Sequence, residues 1–345
     1  MSSKNQFENH IKSLKGVWTA LITPMEFEKD RIYSWIHNDK FARLIDDQID
    51  AGVNGLLILG TTGQGPTMDD EEHFDVVESV IDYINGRVPV MIGAGSNATN
   101  QAFNLSKKLS TIDTKIKKTN GMPILLHVTG YYNNPPQKGL YMHFKYLAEN
   151  LPDTPIIIYN VPGRTSSDIN FDEVIELAEK YPNIIGIKYA KPASLDVVKK
   201  IVDNTDPERF RVLSGNDDEF YDFLELGAHG IISAAASVIP AGFTEIYKLY
   251  KSGEKKKARQ KQQDIDDIIK AVYAPNTKNP MALNYMLDSG LRLPLFNIGK
   301  GLDMKDEHER KAYEFYAPVR QMIKDAMKNH YDELLPLAKE TYENL

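Results

Sequence analysis

Short apolar segments alternate with longer amphipathic segments over the first two thirds of the chain. The apolar segments are rich in β-branched residues and predict eight strands, at residues 16–24, 52–60, 88–95, 122–130, 155–162, 184–190, 209–216 and 230–236. The segments between them have helical spacing, and the one at residues 69–86 opens on acidic residues that favour a helix N-terminus. Alternating strands and helices form parallel sheets. The pattern therefore predicts an α/β protein with a closed (β/α)8 TIM barrel over residues 14–240.

The rest of the chain differs from this pattern. Residues 241–345 are mainly helical and charged, which predicts a C-terminal helical region packed on the barrel, and residues 1–13 form an N-terminal extension. The polar segment 111–121 is long for a connection between a helix and a strand, and predicts either a surface insertion or a poorly capped helix end. An open doubly wound sheet is the alternative fold, but its GxGxxG fingerprint does not follow the first strand.

Composition narrows the class of protein. Hydrophobic residues make up 42% and charged residues 26% of the chain, as in soluble globular proteins. The net charge of -7 argues against a nucleic-acid partner. The absence of cysteine excludes disulfides, thiol nucleophiles and cysteine metal sites. The first residues do not resemble a signal peptide and no apolar run reaches membrane-spanning length, so we expect a cytoplasmic protein with no membrane partner.

Lys188 lies inside the apolar stretch PNIIGIKYAKPAS, residues 182–194. Alternate residues of a strand share a face, which would place Lys188 with Gly186 and Ile184. Burial of an unpaired ammonium is costly and favours the neutral amine, and a neutral amine is a nucleophile. The alternative is a structural lysine whose ammonium reaches solvent from the strand end.

Other candidate residues follow the carboxyl ends of predicted strands, where the reactive groups of such barrels lie. The glycine-rich LGTTGQGPT contains Thr61 and Thr62, whose hydroxyls and amides suit a carboxylate. YNVPGRT contains Tyr159 and Arg164, a proton relay and a carboxylate ligand. Taken singly, each could be a turn, packing or surface residue. Because the fifth and sixth strands are neighbours, we expect Tyr159 to lie beside Lys188 as a proton-transfer pair.

At these residues the chain resembles the dihydrodipicolinate synthase and N-acetylneuraminate lyase family of pyruvate-dependent class I aldolases, over about residues 14–300. GTTGQGPT is similar to the family signature GTTGE-S-PT, with Gln64 and Gly65 as departures, and YNVPGRT and IGIKYA complete the set. The resemblance implies a (β/α)8 fold, a lysine Schiff base with pyruvate, and no cofactor or metal ion.

The resemblance also implies a role for each candidate residue. Lys188 would form the Schiff base and Tyr159 would transfer protons, linked through Thr61 to a tyrosine of a neighbouring subunit. The remaining candidates are Tyr132 as that tyrosine, Thr62 with Thr61 as ligands of the pyruvate carboxylate, and Gly215 and Ile232 as backbone that completes the pocket. The shared tyrosine implies a homo-oligomer, a dimer or a tetramer.

Arg164 points to the synthase branch of the family. There an arginine at this place receives the carboxylate of aspartate 4-semialdehyde, so the expected reaction condenses that aldehyde with pyruvate. One alternative is an aldolase or dehydratase acting on a 2-keto-3-deoxy sugar acid or on 4-hydroxy-2-oxoglutarate. The other is a non-catalytic barrel that binds a keto acid.

The family's lysine-inhibition site is matched in part. His73, Asn97 and Tyr131 correspond to it, but Gln101 stands where lysine-sensitive members have a glutamate. Loss of a carboxylate weakens the binding of a cationic effector. We therefore expect weak or absent inhibition by lysine.

Overall fold

Eight parallel strands close into a barrel and follow one another around it in sequence order. The computed structural model describes residues 7–28, 36–112 and 122–345. The strands are β1 Gly16–Ala20, β2 Gly55–Ile58, β3 Val90–Gly93, β4 Ile124–Val128, β5 Ile156–Asn160, β6 Ile184–Tyr189, β7 Arg211–Ser214 and β8 Gly230–Ser233. The predicted (β/α)8 barrel is confirmed, and each predicted strand contains one of these strands.

Helices connect the strands and surround the barrel. They are α1 Glu8–Ser13, α2 Asn38–Asp50, α3 Asp70–Ile84, α4 Thr99–Leu109, α5 Gln137–Asn150, α6 Pro162–Thr165, α7 Phe171–Lys180, α8 Leu195–Asp203, α9 Phe220–Glu225 and α10 Pro240–Lys251. A side-chain cap marks the start of several of them. The Asp69 side chain, for example, accepts hydrogen bonds from the backbone N–H groups of Glu71 and Glu72 at the start of α3.

The residues after the barrel are mainly helical. They form α11 Lys255–Asp264, α12 Asp266–Val272, α13 Met281–Met286, α14 Glu307–Phe315, α15 Ala317–Asn329 and α16 Pro336–Glu343. Helix α15 packs against α12, and α16 packs against α2 and α13. The Tyr316 hydroxyl donates to the carbonyl oxygen of Asn276 at 3.1 Å. These C-terminal helices therefore contact both the barrel and the loop after α12. The domain division at residue 240 stays a prediction.

The barrel interior is filled at its lower levels by apolar side chains. They belong to one buried cluster that includes Trp18, Leu57, Met91, Leu126, Ile157 and Leu213. A Cβ atom on Gly55 would lie 2.6 Å from the Trp18 ring, so glycine is needed there to admit the indole. Because the lower barrel is packed, open space is left at the carboxyl ends of the strands.

An irregularity in β6 changes the face on which one residue lies. Ile156 pairs with Ile184, but the next residue of β5, Ile157, pairs with Gly186. A residue is therefore inserted in β6, as in a β-bulge, and alternation is interrupted there. Ile184 packs in the outer cluster with the surrounding helices, whereas Ile185 belongs to the interior cluster. The prediction that Ile184 shares a face with Lys188 is therefore wrong.

Parts of two predicted segments lie outside the described residues. These are residues 1–6 of the N-terminal extension and residues 113–121 of the polar segment 111–121. None of the helices in the part of the chain that the structure describes is long and apolar enough to cross a bilayer.

Candidate active site

A cavity of about 520 Å³ opens at the carboxyl ends of the strands. It brings together most of the residues that the sequence predicts for the site. These are Thr61, Thr62, Tyr159, Arg164, Lys188, Gly215 and Ile232. Its apolar lining includes Ala20, Leu57 and Leu126. The cavity thus combines polar and titratable side chains with an apolar part of its wall.

Lys188 lies on β6 directly beside Tyr159 on β5, because these two residues are partners in the strand register. The Lys188 Nζ atom is 4.6 Å from the centre of the Tyr159 ring, and only 6% of the lysine is exposed. A Cβ atom on Gly215 would lie 3.1 Å from Lys188 Cε, so glycine leaves room for the lysine side chain. No carboxylate of the described residues lies within ion-pair distance of Nζ.

Burial lowers the pKa of the Lys188 amine to about 8. The positive charge of Arg164 acts in the same direction, whereas the Asp217 carboxylate raises the pKa and opposes part of the shift. At neutral pH an appreciable fraction of the amine is therefore unprotonated. Such an amine can attack a carbonyl carbon.

This pKa predicts how Schiff-base formation depends on pH. Below about pH 8 the neutral fraction grows roughly tenfold per unit, so the initial rate of adduct formation with pyruvate should rise about tenfold from pH 6 to pH 7 and level off above about pH 8. The rate can be measured by quenching with borohydride at set times and recording intact masses. A rate that keeps rising to pH 10 would mean that Lys188 has the pKa of an ordinary lysine.

Tyr159, whose ring lies against this amine, carries a phenolic hydroxyl. Only 8% of the residue is exposed, and burial raises the pKa of its phenol, while the nearby Arg164 charge and a hydrogen bond with Thr61 lower it. The phenol stays protonated at neutral pH. It can therefore donate a proton to a leaving oxygen and take one back.

The loop after β2 holds Thr61 and Thr62 in place. A Cβ atom on Gly65 would lie 2.1 Å from the Leu59 carbonyl oxygen, so only glycine fits there. Gln64 is buried with a φ of 58°, and its Oε1 accepts a hydrogen bond from the Arg292 backbone N–H at 3.0 Å. Both departures from the family signature, Gln64 and Gly65, are thus accommodated by close packing.

Asp217, which is buried, and Tyr273, which is partly exposed at the end of α12, were not anticipated from the sequence. The Tyr273 hydroxyl donates to Asp217 Oδ2 at 2.8 Å, and the Ala235 backbone N–H donates to the same atom at 3.1 Å. Asp217 Oδ1 has no partner in the described part of the chain. Burial raises the pKa of Asp217, while Ser233, Tyr273, Ala235 and the Lys188 charge lower it. Asp217 thus places a carboxyl group near the lysine.

The loop after α12 also contributes unanticipated residues. Thr277, Lys278 and Asn279 line the cavity, and Asn279 Nδ2 donates to Thr62 Oγ1 at 3.0 Å. Lys191 and Asn216, from the loops after β6 and β7, complete this side. For Thr277, Lys278 and Asn279 the only sequence signal is the Pro- and Asn-rich stretch APNTKNP, which interrupts the helices. Such a stretch predicts a loop but not where the loop lies in the fold.

Tyr132 does not reach the cavity of its own chain. Its side chain is 90% exposed, and its backbone has a φ of 70°, in the left-handed region that non-glycine residues rarely occupy. The loop thus holds a large aromatic side chain out in solvent. Its predicted catalytic role stays a prediction.

Of the residues of the expected lysine site, His73 lies on α3, Gln101 on α4, Asn97 in the loop before α4 and Tyr131 in the loop after β4. His73 is buried on α3 with its Nε2 atom 2.9 Å from the Gly93 carbonyl oxygen, and burial lowers its pKa. The Gln101 Oε1 atom accepts a hydrogen bond from Ser96 at 2.9 Å. The Gln101 side chain is an uncharged amide, and its oxygen already has Ser96 as a hydrogen-bond partner.

The chain is similar to known proteins over most of its length. The Dihydrodipicolinate synthetase family matches residues 13–295. A 4-hydroxy-tetrahydrodipicolinate synthase of Thermotoga petrophila is 36% identical over 287 residues, covering 81% of this chain and 92% of the relative. The enzyme of the same name from Methanocaldococcus jannaschii is 36% identical over 300 residues, covering 86% and 95% of the two chains. A solved monomeric dihydrodipicolinate synthase variant superposes with a TM-score of 0.79 at 30% identity, covering 92% of this chain and 97% of its own.

Proposed function

The chain belongs to the dihydrodipicolinate synthetase family, and we propose from this premise that it is a 4-hydroxy-tetrahydrodipicolinate synthase. It is an enzyme of the Schiff-base-forming aldolase type, a carbon–oxygen lyase, and acts on small molecules. Its substrates are pyruvate and aspartate 4-semialdehyde. The observation that carries this proposal is the buried Lys188 amine, with a lowered pKa, against the ring of Tyr159 in the cavity.

The first half of the reaction follows from these two groups. The neutral Lys188 amine attacks the keto carbon of pyruvate, whose carboxylate is held by Thr61 and Thr62. Tyr159 protonates the leaving hydroxyl, water departs and a positively charged iminium forms. Loss of a methyl proton then gives the enamine. Because the iminium accepts the electron pair of the broken C–H bond, the carbon nucleophile arises within a covalent intermediate.

The second half forms the carbon–carbon bond and releases the enzyme. The enamine carbon attacks the aldehyde carbon of the semialdehyde, whose carboxylate pairs with Arg164, and the new alkoxide takes a proton through Tyr159. The amine of the semialdehyde then attacks the iminium carbon and displaces Lys188, which closes the six-membered ring. One water molecule is lost in total, at the first step.

Two measurements test this assignment. Incubation with pyruvate and reduction with borohydride should leave a pyruvate-sized adduct on the peptide that contains Lys188. Aspartate 4-semialdehyde should then be consumed together with pyruvate in a coupled assay. Adduct formation without semialdehyde consumption would favour the aldolase or dehydratase for a 2-keto-3-deoxy sugar acid or 4-hydroxy-2-oxoglutarate. Absence of the adduct in a folded protein would overturn the Schiff-base mechanism and leave the keto-acid-binding barrel.

We further propose that Tyr132 acts in the cavity of a neighbouring subunit of a homodimer or homotetramer. The exposed side chain and its unusual backbone conformation support this role, because a solvated aromatic on a constrained loop is suited to insertion into a partner.

The proposed location of the enzyme is the cytoplasm.

Mixing two inactive variants tests the shared site. In a heterodimer of Lys188→Ala with Tyr132→Phe, one cavity carries both changes and the other carries neither. Random reassociation should therefore restore up to about a quarter of the wild-type activity. The measurement is the coupled assay before and after the two proteins are dissociated and reassociated together. If mixing restores nothing although heterodimers form, Tyr132 serves its own chain or no site.

Weak or absent inhibition by lysine stays a prediction. Because Gln101 lacks a carboxylate, we expect that lysine at about 1 mM leaves the initial rate nearly unchanged. Gln101→Glu should increase sensitivity, since it adds a charged partner for the effector's amine. Wild-type enzyme that loses half of its rate at this concentration would contradict the expectation.

A further inference from the structure

The two threonines of the loop after β2 differ in the group that contacts their hydroxyls. Thr61 forms a hydrogen bond with Tyr159, which places its hydroxyl next to the proposed proton relay. Thr62 is 3% exposed, and its Oγ1 atom accepts a hydrogen bond from Asn279 Nδ2 at 3.0 Å. Both threonines and Asn279 line the cavity. The two neighbouring hydroxyls are therefore held by different segments of the chain.

The hydrogen bond from Asn279 determines how the Thr62 hydroxyl can act. A hydroxyl has one hydrogen to donate and two lone pairs that accept, whereas an amide nitrogen only donates. Asn279 therefore takes up a lone pair of Thr62 Oγ1 and leaves the hydroxyl hydrogen free. In the described part of the chain, that hydrogen has no acceptor. The bond that the oxygen accepts also polarises the O–H group, so Thr62 is a strengthened donor without a partner, as a carboxylate ligand requires.

Other contacts already hold the backbone of this loop. The Gly63 carbonyl oxygen accepts a hydrogen bond from the Thr23 hydroxyl at 2.7 Å, and Gln64 Oε1 accepts one from the Arg292 backbone N–H at 3.0 Å. Asn279 adds a third contact, from the segment between α12 and α13. Because two other segments fix the loop, loss of the Asn279 amide should free the direction of one hydroxyl and leave the loop in place.

We propose that Asn279 is a positioning residue that directs the Thr62 hydroxyl to the carboxylate of the keto acid bound at Lys188. It contacts Thr62 and acts on the ligand only through it. Thr62 then recognises the carboxylate with its hydroxyl, while the hydroxyl of Thr61 is engaged with Tyr159. The inference deepens the proposed function and rests on it in taking pyruvate as the ligand of the two threonines.

Asn279→Leu tests this role, because leucine is similar in size and has no amide. Asn279 Oδ1 has no partner among the described residues, so the substitution removes one side-chain hydrogen bond, the one to Thr62. At pyruvate well below saturation, the initial rate of the borohydride-trapped adduct on the Lys188 peptide should fall about threefold to tenfold. With acetone, in which a methyl group replaces the carboxylate, the rate should change less than about twofold. An equal fall with acetone would overturn the proposal.

Two further comparisons separate the orientation of the hydroxyl from the stability of the protein. Asn279→Asp keeps the shape but puts an oxygen in place of the amide nitrogen. That oxygen would accept the Thr62 hydroxyl hydrogen and turn it away from the ligand, so trapping with pyruvate should fall further than in Asn279→Leu. In a Thr62→Val background, Asn279→Leu should add less than about a twofold loss, because the hydroxyl that it orients is absent. Additive losses, or an Asn279→Asp protein that reacts at the wild-type rate, would contradict the proposal.

Asn284→Leu is the matched control. Asn284 is fully buried on α13, its Nδ2 atom donates to the Pro280 carbonyl oxygen at 3.0 Å, and its Oδ1 atom also has no partner in the described ranges. The substitution removes an equivalent hydrogen bond from the same region without touching Thr62, so the pyruvate rate should stay within about twofold of the wild type. Equal losses in both variants would mean that Asn279 only anchors its loop.

The same measurement separates this inference from the proposed function. A folded wild-type protein that forms no pyruvate adduct would overturn the Schiff-base mechanism itself. A wild-type protein that forms the adduct, at a rate that Asn279→Leu leaves unchanged, would overturn the role of Asn279 alone.

Discussion

Replacing Lys188 by alanine should reduce kcat/KM by at least about three orders of magnitude and abolish the pyruvate adduct. Lys191 and Lys278 also line the cavity, but of the described lysines only Lys188 is the strand-register partner of Tyr159, so we expect no other amine to take its place. The coupled assay and borohydride trapping measure the two effects. Retention of most of the activity would refute the mechanism.

The fold should survive this substitution. Burial lowers the pKa of Lys188 to about 8. Below that pH the lysine is charged in both states, but its charge is poorly solvated in the folded protein and well solvated in the unfolded chain, which lowers the stability of the fold. Alanine removes this cost, and it enlarges an existing cavity without opening a new one in the packed core. Thermal unfolding at pH 7 should give a Tm no lower than that of the wild type. Lys256→Ala, at an exposed position of α11, is the control and should keep full activity.

Replacing Tyr159 by phenylalanine should lower kcat by about 10² to 10⁴, the range for loss of a general acid–base group. The KM for pyruvate should change much less, since the carboxylate is expected to bind Thr61 and Thr62. The ring and its contact with Lys188 are kept, so the trapped adduct should still form, only more slowly. Steady-state kinetics and timed trapping separate these effects.

Tyr141→Phe provides the control for Tyr159→Phe. The Tyr141 hydroxyl donates to Glu176 Oε1 at 2.9 Å on the outside of the barrel, so its loss should leave kcat unchanged. If Tyr141→Phe lowered kcat as much as Tyr159→Phe does, the effect of Tyr159→Phe would be one of protein stability and not of proton transfer. A Tyr159→Phe enzyme with unaltered kcat would also exclude the relay.

Residues at the carboxyl ends of the strands were predictable because all of these ends meet at one face of a (β/α)8 barrel. The alternation of strands and helices predicts the barrel, and the register of β5 and β6 then brings Tyr159 beside Lys188. Thr61, Thr62, Arg164, Gly215 and Ile232 reach the same cavity for the same reason. The local pattern is sufficient for such residues because each lies a few positions from a recognisable strand.

The rest of the site depends on contacts that local patterns do not encode. Tyr273 and Lys278 come from beyond the last strand, and their positions result from the packing of α12 and its loop against the barrel. The inserted residue in β6 reverses the face of Ile184 without any turn residue to signal it. Tyr132 lies outside the cavity of its own chain, and a single sequence cannot specify which copy receives it.

The bond from Tyr316 to Asn276 has a consequence for attempts to transplant this catalyst. The family match ends at residue 295, whereas Tyr316 lies beyond it and fastens the loop that carries Lys278. A barrel truncated at residue 295 would keep Lys188 and Tyr159 but would lose the Tyr316 hydrogen bond that supports one wall of the cavity. The predicted reactive residues thus lie in the barrel, whereas part of the support for one cavity wall lies in the C-terminal helices, so a shortened chain could keep the first and lose the second.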